Sequence, residues 1–75
     1  VLINVRAARP DRFREHPGIL EAVRGVERAL GEGGRVLIRP SGTEPLVRVM
    51  VEGRDAGVIE RHARSLAEVV GSQLA

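Results

Sequence analysis

The sequence predicts an α+β domain: a β-α-β-β-α two-layer sandwich, with a small, mainly antiparallel sheet and two helices on one of its faces. Three observations carry this. Segments near residues 1–6, 35–40 and 46–52 have the strand-like apolar character and alternation of a half-buried sheet. Two longer segments, beginning near Pro17 and Ala56, repeat apolar residues at helical spacing. Gly, Pro and Asp stand where each pattern stops.

In the first strand Val1, Ile3 and Val5 face one way, and Leu2, Asn4 and Arg6 face the other. Ala7 to His16 reads as a polar connector with Pro10 and Asp11 as turn formers. Pro17 suits the first turn of a helix, where its missing N–H costs nothing. Ile19, Leu20, Val23, Val26 and Leu30 form that helix's apolar stripe; Glu21, Arg24, Glu27 and Arg28 take its wet face. Gly31-Glu32-Gly33-Gly34 ends it. The second strand, Arg35 to Pro40, and the third, Leu46 to Glu52, flank Ser41-Gly42-Thr43-Glu44-Pro45. Gly53-Arg54-Asp55 turns the chain, with Asp55 placed to cap the last helix. That helix, roughly Ala56 to Leu74, aligns Ile59, His62, Ala63, Leu66, Val69, Val70 and Gln73 or Leu74. Glu60 and Arg64 are an i,i+4 pair on its surface.

Seventy-five residues make one small domain, with a thin core and little room for an enclosed active site. With no Cys there is neither a disulfide framework nor a thiolate metal site. No apolar run is long enough to span a bilayer. All 12 basic residues are Arg, which gives an isoelectric point near 11.0 although the net charge is only +2. The charge is therefore weak support for a polyanion partner. The chain opens at Val1, inside a strand pattern, and reads as a piece of a longer protein.

The chemistry is concentrated in Arg39-Pro40-Ser41-Gly42-Thr43-Glu44-Pro45 and Arg48. If strands two and three form a hairpin with Val47, Val49 and Val51 in the core, Ile38 falls opposite Val49 and Val36 opposite Val51. Arg39 then falls opposite Arg48 on the non-core face. Like charges in direct cross-strand contact are destabilising unless an anion sits between them. Ser41 and Thr43 offer hydroxyls, and Gly42 lets backbone N–H groups approach a ligand unobstructed. Pro40 and Pro45 stiffen the ends. Guanidinium groups and hydroxyls suit a phosphate better than a carboxylate. Glu44 would repel a phosphate, so it must point away, pair with an arginine or contact a sugar hydroxyl. A Ser-Gly-Thr hairpin turn with two solvated arginines accounts for the same residues equally well.

The stretch Arg39-Pro40-Ser41-Gly42-Thr43-Glu44-Pro45-Leu46-Val47-Arg48-Val49-Met50-Val51-Glu52 resembles the signature loop and strand of the C-terminal domain of phosphoglucosamine mutases, in the α-D-phosphohexomutase superfamily. The resemblance extends to Asn4-Val5-Arg6, the first helix, Gly34-Arg35-Val36-Leu37 and the last helix. It implies the TATA-binding-protein-like fold of phosphohexomutase C-terminal domains, with residues 1–75 as the phosphate-binding domain of a longer chain. It further implies that Arg39, Ser41, Gly42, Thr43 and Arg48 hold the substrate phosphate that is not being transferred. The implied reaction interconverts glucosamine 6-phosphate and glucosamine 1-phosphate through a 1,6-bisphosphate. Phosphomannomutases and phosphoglucomutases are the alternative branch. The family's phosphoserine nucleophile and Mg²⁺-binding aspartate loop have no counterpart here, so the resemblance places Mg²⁺ in another domain and leaves the isolated chain inactive. It also implies a cytoplasmic enzyme whose partners are a phosphosugar and the remaining domains, not nucleic acid or a membrane.

Other residues have plainer readings. His16 and His62 are structural or solvated, and Phe13 and Met50 are packing residues. Arg6, Arg9, Arg12 and Arg14, with Asp11 and Glu15 interleaved, form a solvated surface. The chain has no Trp or Tyr, and Phe13 lies outside every strand, which removes the base-stacking platform of a single-strand nucleic-acid binder. The patch Leu2, Leu37, Leu46 and Met50 on the non-core face would suit a dimer contact or a seam with other domains.

Overall fold

The computed structural model describes residues 1–74. It has three strands, β1 (Leu2–Arg6), β2 (Arg35–Pro40) and β3 (Leu46–Glu52), and two main helices, α1 (Pro17–Leu30) and α2 (Ala56–Gln73). The expected α+β sandwich is observed: an antiparallel sheet in the order β1-β3-β2, with both helices on one face. α2 lies across β1 and β3, and α1 lies over β2.

The core forms because each apolar stripe has one face to bury. Val47, Val49 and Val51 point from the central strand into it, with Val36 beside them. Ile19 and Val26 come down from α1; Ala63, Leu66 and Val70 come down from α2. β3 is flanked on both sides, so its inward valines are completely covered, whereas Ile3 and Val5 of edge strand β1 remain half-buried.

Three local expectations need correction. The connector from Ala7 to His16 is not merely a polar turn. It contains a 3-10 helix over Pro10–Glu15, and Ala7 and Phe13 are buried in the core. The Phe13 ring is covered by the Arg14 guanidinium, 4.9 Å from its centroid. Leu20, assigned to the apolar stripe of α1, is 37% exposed, and Ala22 packs against the core in its place. α2 ends at Gln73, with Leu74 as its capping residue, still buried.

The punctuation acts as expected. Gly31 adopts φ +64°, a left-handed conformation that ends α1 cheaply only for glycine. At Gly34 an added Cβ would fall 2.3 Å from the Leu30 Cβ, so the return into β2 needs a residue without a side chain. Asp55 caps α2, its carboxylate accepting from the Val58 N–H at 3.1 Å. The Glu60–Arg64 pair closes at 2.8 Å.

Gly25, in the middle of α1, meets none of these needs. A Cβ there would meet nothing within 4 Å, and its φ is not positive. Gly25→Ala is expected to stabilise the fold by about 0.5–1 kcal/mol through helix propensity and reduced unfolded-state entropy. Urea denaturation checks this; a destabilised variant would mean that the position is constrained by something other than local packing.

Candidate functional site

The open face of the sheet is built row by row from the strand register. Leu2, Met50 and Leu37 form one row, and Asn4, Arg48 and Arg39 form the next. Arg6 and Leu46 face each other in the row nearest the loop. At the opposite end Arg35 pairs with Glu52 at 3.6 Å. The hairpin register expected from the valine pattern is the one observed: Val36 with Val51, Ile38 with Val49, Arg39 with Arg48.

The hydrogen-bond phase sets how close these neighbours stand. Val1 and Val51 exchange both backbone bonds at 2.9 Å, and the Ala7 N–H donates to the Pro45 carbonyl at 2.9 Å. Along β1–β3 the alternation therefore makes Asn4–Arg48 a non-hydrogen-bonded pair, the narrow kind, with Cα atoms about 4.5 Å apart. On the other side the Ser41 N–H donates to the Leu46 carbonyl at 2.9 Å. Arg39–Arg48 is then a hydrogen-bonded pair, the wide kind, at about 5.5 Å. The two arginine side chains therefore leave the backbone at the wider spacing. Pro40 falls in a non-hydrogen-bonded position of an edge strand, where its missing N–H breaks no ladder bond.

Arg39, Pro40, Ser41, Gly42, Thr43 and Arg48 line one hollow of about 210 Å³. All five candidate residues are thus brought to a single place. A phosphate displaces roughly the volume of two or three waters at about 30 Å³ each, so the hollow can admit one. Arg39 and Arg48 are exposed, and among the described residues neither has a carboxylate within ion-pairing distance. Glu44 is exposed, does not line the hollow and forms no ion pair with either arginine.

Inside the loop the Ser41 Oγ accepts from the N–H of Thr43 at 3.4 Å and of Glu44 at 3.2 Å. The hydroxyl hydrogen of Ser41 is left to donate outward, and the loop is shaped before any ligand arrives. The Gly42 N–H has no partner among the described residues, and a Cβ at Gly42 would meet nothing within 4 Å. The space beside this glycine is open. Unpaired guanidinium groups, a hydroxyl and a backbone N–H around one hollow can bind a tetrahedral oxyanion; they include no general base or nucleophile placed to make or break a bond.

A metal site is a different matter. Asp11 lies in the 3-10 helix and Asp55 at the start of α2, and no three His, Asp or Glu side chains converge among the described residues. These residues do not fit the Mg²⁺ that the resemblance implies. Among the described residues no helix is long and apolar enough to cross a membrane. Buried Phe13 offers no ring to the open face.

Sequence reasoning placed the loop but missed the contribution of β1. Asn4 stands directly beside Arg48, and Arg6 closes the loop end of the same face. Alternation put both on the non-core side; only the strand order put them next to β3.

The family model described as phosphoglucomutase/phosphomannomutase, C-terminal domain, matches residues 2–69. A phosphoglucosamine mutase of Pseudomonas putida is 56% identical over 73 residues, covering 95% of this chain and 16% of the relative. Those of Rhodococcus erythropolis (53% over 72 residues, 96% and 16%) and Caldicellulosiruptor bescii (49% over 76 residues, 99% and 17%) are similar to it throughout. The chain thus spans about a sixth of the length of these curated relatives. With the family model covering nearly every element of the sandwich, the chain belongs to the phosphoglucomutase/phosphomannomutase C-terminal domain family.

Proposed function

We propose that residues 1–75 are the phosphate-binding C-terminal domain of a phosphoglucosamine mutase. The observation that carries this reading is the register-paired Arg39 and Arg48, both without acidic partners, facing one hollow with Ser41, Gly42 and Thr43. Arg39 is the principal guanidinium contact, and Arg48 completes the clamp from the next strand. Ser41 and Thr43 donate through their hydroxyls, and Gly42 donates through its backbone. The relatives' printed activity supports glucosamine phosphates over mannose or glucose phosphates as the substrate.

The mechanism assigned to the domain is positioning. Glucosamine 6-phosphate and glucosamine 1-phosphate interconvert through a 1,6-bisphosphate that must turn over between half-reactions. The clamp therefore has to accept a phosphate from either end of the sugar. Arginines and hydroxyls read the phosphate and not the carbon that bears it, so the same residues serve both orientations. Holding the spectator phosphate fixes the other end of the sugar for reaction. On this reading the nucleophile and any Mg²⁺ would be held by other parts of the longer enzyme. Sugar phosphates do not cross membranes unaided, which supports a cytoplasmic setting.

In the natural full-length protein, Arg39→Ala is expected to lower kcat/KM for glucosamine 6-phosphate by more than about tenfold, the loss of one charge-assisted contact. A near-wild-type value would refute the role given to Arg39.

A further inference from the structure

We propose that Asn4 is a positioning residue for Arg48, holding its guanidinium group aimed at the phosphate hollow. The inference rests on the phosphate-clamp reading above and extends the clamp across the third strand. Arg48 has two immediate neighbours in its row, Arg39 on β2 and Asn4 on β1. Arg39 repels it across the wide pair. Asn4 meets it across the narrow pair, where side chains stand closest.

The rest of the open face offers Arg48 nothing else. Leu2, Leu37, Leu46 and Met50 are apolar, and Arg6 carries the same charge. Glu52 lies two rows away and is engaged by Arg35 at 3.6 Å. Asn4 is the only uncharged polar side chain on the three strands' outer face, and among the described residues its amide makes no hydrogen bond.

The donor count fits. A guanidinium group carries five N–H donors in a fixed plane, and a phosphate engages two of them. On the β1 side of Arg48 the paired residue is Asn4, whose side-chain carbonyl oxygen is a neutral acceptor that can take one of the remaining donors once a phosphate holds the others. A carboxylate in that position would also hold the arginine, but it would cancel the charge that the phosphate needs. An amide orients the fork and leaves its charge intact.

The test is a double-mutant cycle in the natural full-length protein, read as kcat/KM for glucosamine 6-phosphate, using Asn4→Leu and Arg48→Met. Asn4→Leu alone is expected to lower kcat/KM about fivefold, with an unchanged thermal midpoint. On the Arg48→Met background it is expected to change kcat/KM by less than about twofold, since the group it positions is gone. Asn4→Ala repeats the cycle should the leucine variant fail to accumulate. A wild-type value for the single Asn4 variants, or the same fivefold loss on both backgrounds, overturns the inference while leaving the clamp standing. If Arg48→Met itself has wild-type kcat/KM, the clamp reading fails first and the role of Asn4 fails with it.

Discussion

Replacing Arg39 and Arg48 together by methionine is expected to lower kcat/KM for glucosamine 6-phosphate in the full-length protein by at least about 100-fold. Each guanidinium–phosphate contact is worth about 1.5–3 kcal/mol as a charge-assisted hydrogen bond, and about 1.4 kcal/mol is a factor of ten. The two share one ligand, so their losses will not add fully; either arginine can shift to recover part of what the other loses. The same variant carries a second expectation of opposite sign. Arg39 and Arg48 stand directly opposite each other, and among the described residues neither has a carboxylate within ion-pairing distance. Removing both charges relieves a repulsion of about 0.2–1 kcal/mol, while methionine keeps the aliphatic stems that cover the strands. The variant should therefore be at least as resistant to urea as the wild type. A loss of activity accompanied by clear destabilisation would mean that the arginines serve the fold. Retained activity would remove the clamp altogether. The combination of lost activity and undiminished stability marks residues kept for binding at the expense of folding.

Leu66→Ala is expected to be the most damaging single truncation in the core. Leu66 is 1% exposed on the inner face of α2, with Ala63 and Val70 completely buried on either side of it. Deleting a buried leucine side chain costs about 2–5 kcal/mol, the larger values where the surroundings cannot collapse. The rigid valines of β3 allow little collapse. A 75-residue domain has a total stability of roughly 4–11 kcal/mol, so the variant should lose at least about a fifth of it and, at the upper end of the cost, nearly half or more. Urea denaturation followed by circular dichroism measures the shift; a loss below about 1 kcal/mol would show that α2 does not anchor on this residue. The site would suffer too, because α2 packs on β1 and β3, whose pairing sets Asn4 beside Arg48.

Much of this was legible in the sequence because the relevant physics is local. The valines of residues 47–51 declare a strand face through a period of two. Matching them to Val36 and Ile38 leaves one register, and that register alone puts Arg39 opposite Arg48. The Ser-Gly-Thr loop was visible as an anion-binding composition, but an ordinary turn explained it equally well. The hollow lined by both arginines, the unpaired Gly42 N–H and the absence of Glu44 from that lining are tertiary facts that bear on that choice. Phe13 illustrates the opposite limit. A lone aromatic in a charged connector shows no periodicity, so nothing local reveals that the Pro10–Glu15 helix folds it back onto the core.

Hydrophobic period and turn chemistry act over a few residues, so the three strands, the two main helices, the β2–β3 register and the loop could be read from the chain alone. The place of β1, beside β3 and not beside β2, was settled by the packing of the whole domain. Strand order depends on how two helices cover one sheet, a balance of contacts between residues some 45 positions apart that no local pattern encodes. That choice makes Asn4 the close neighbour of Arg48, and the open face a three-strand surface in place of a bare hairpin.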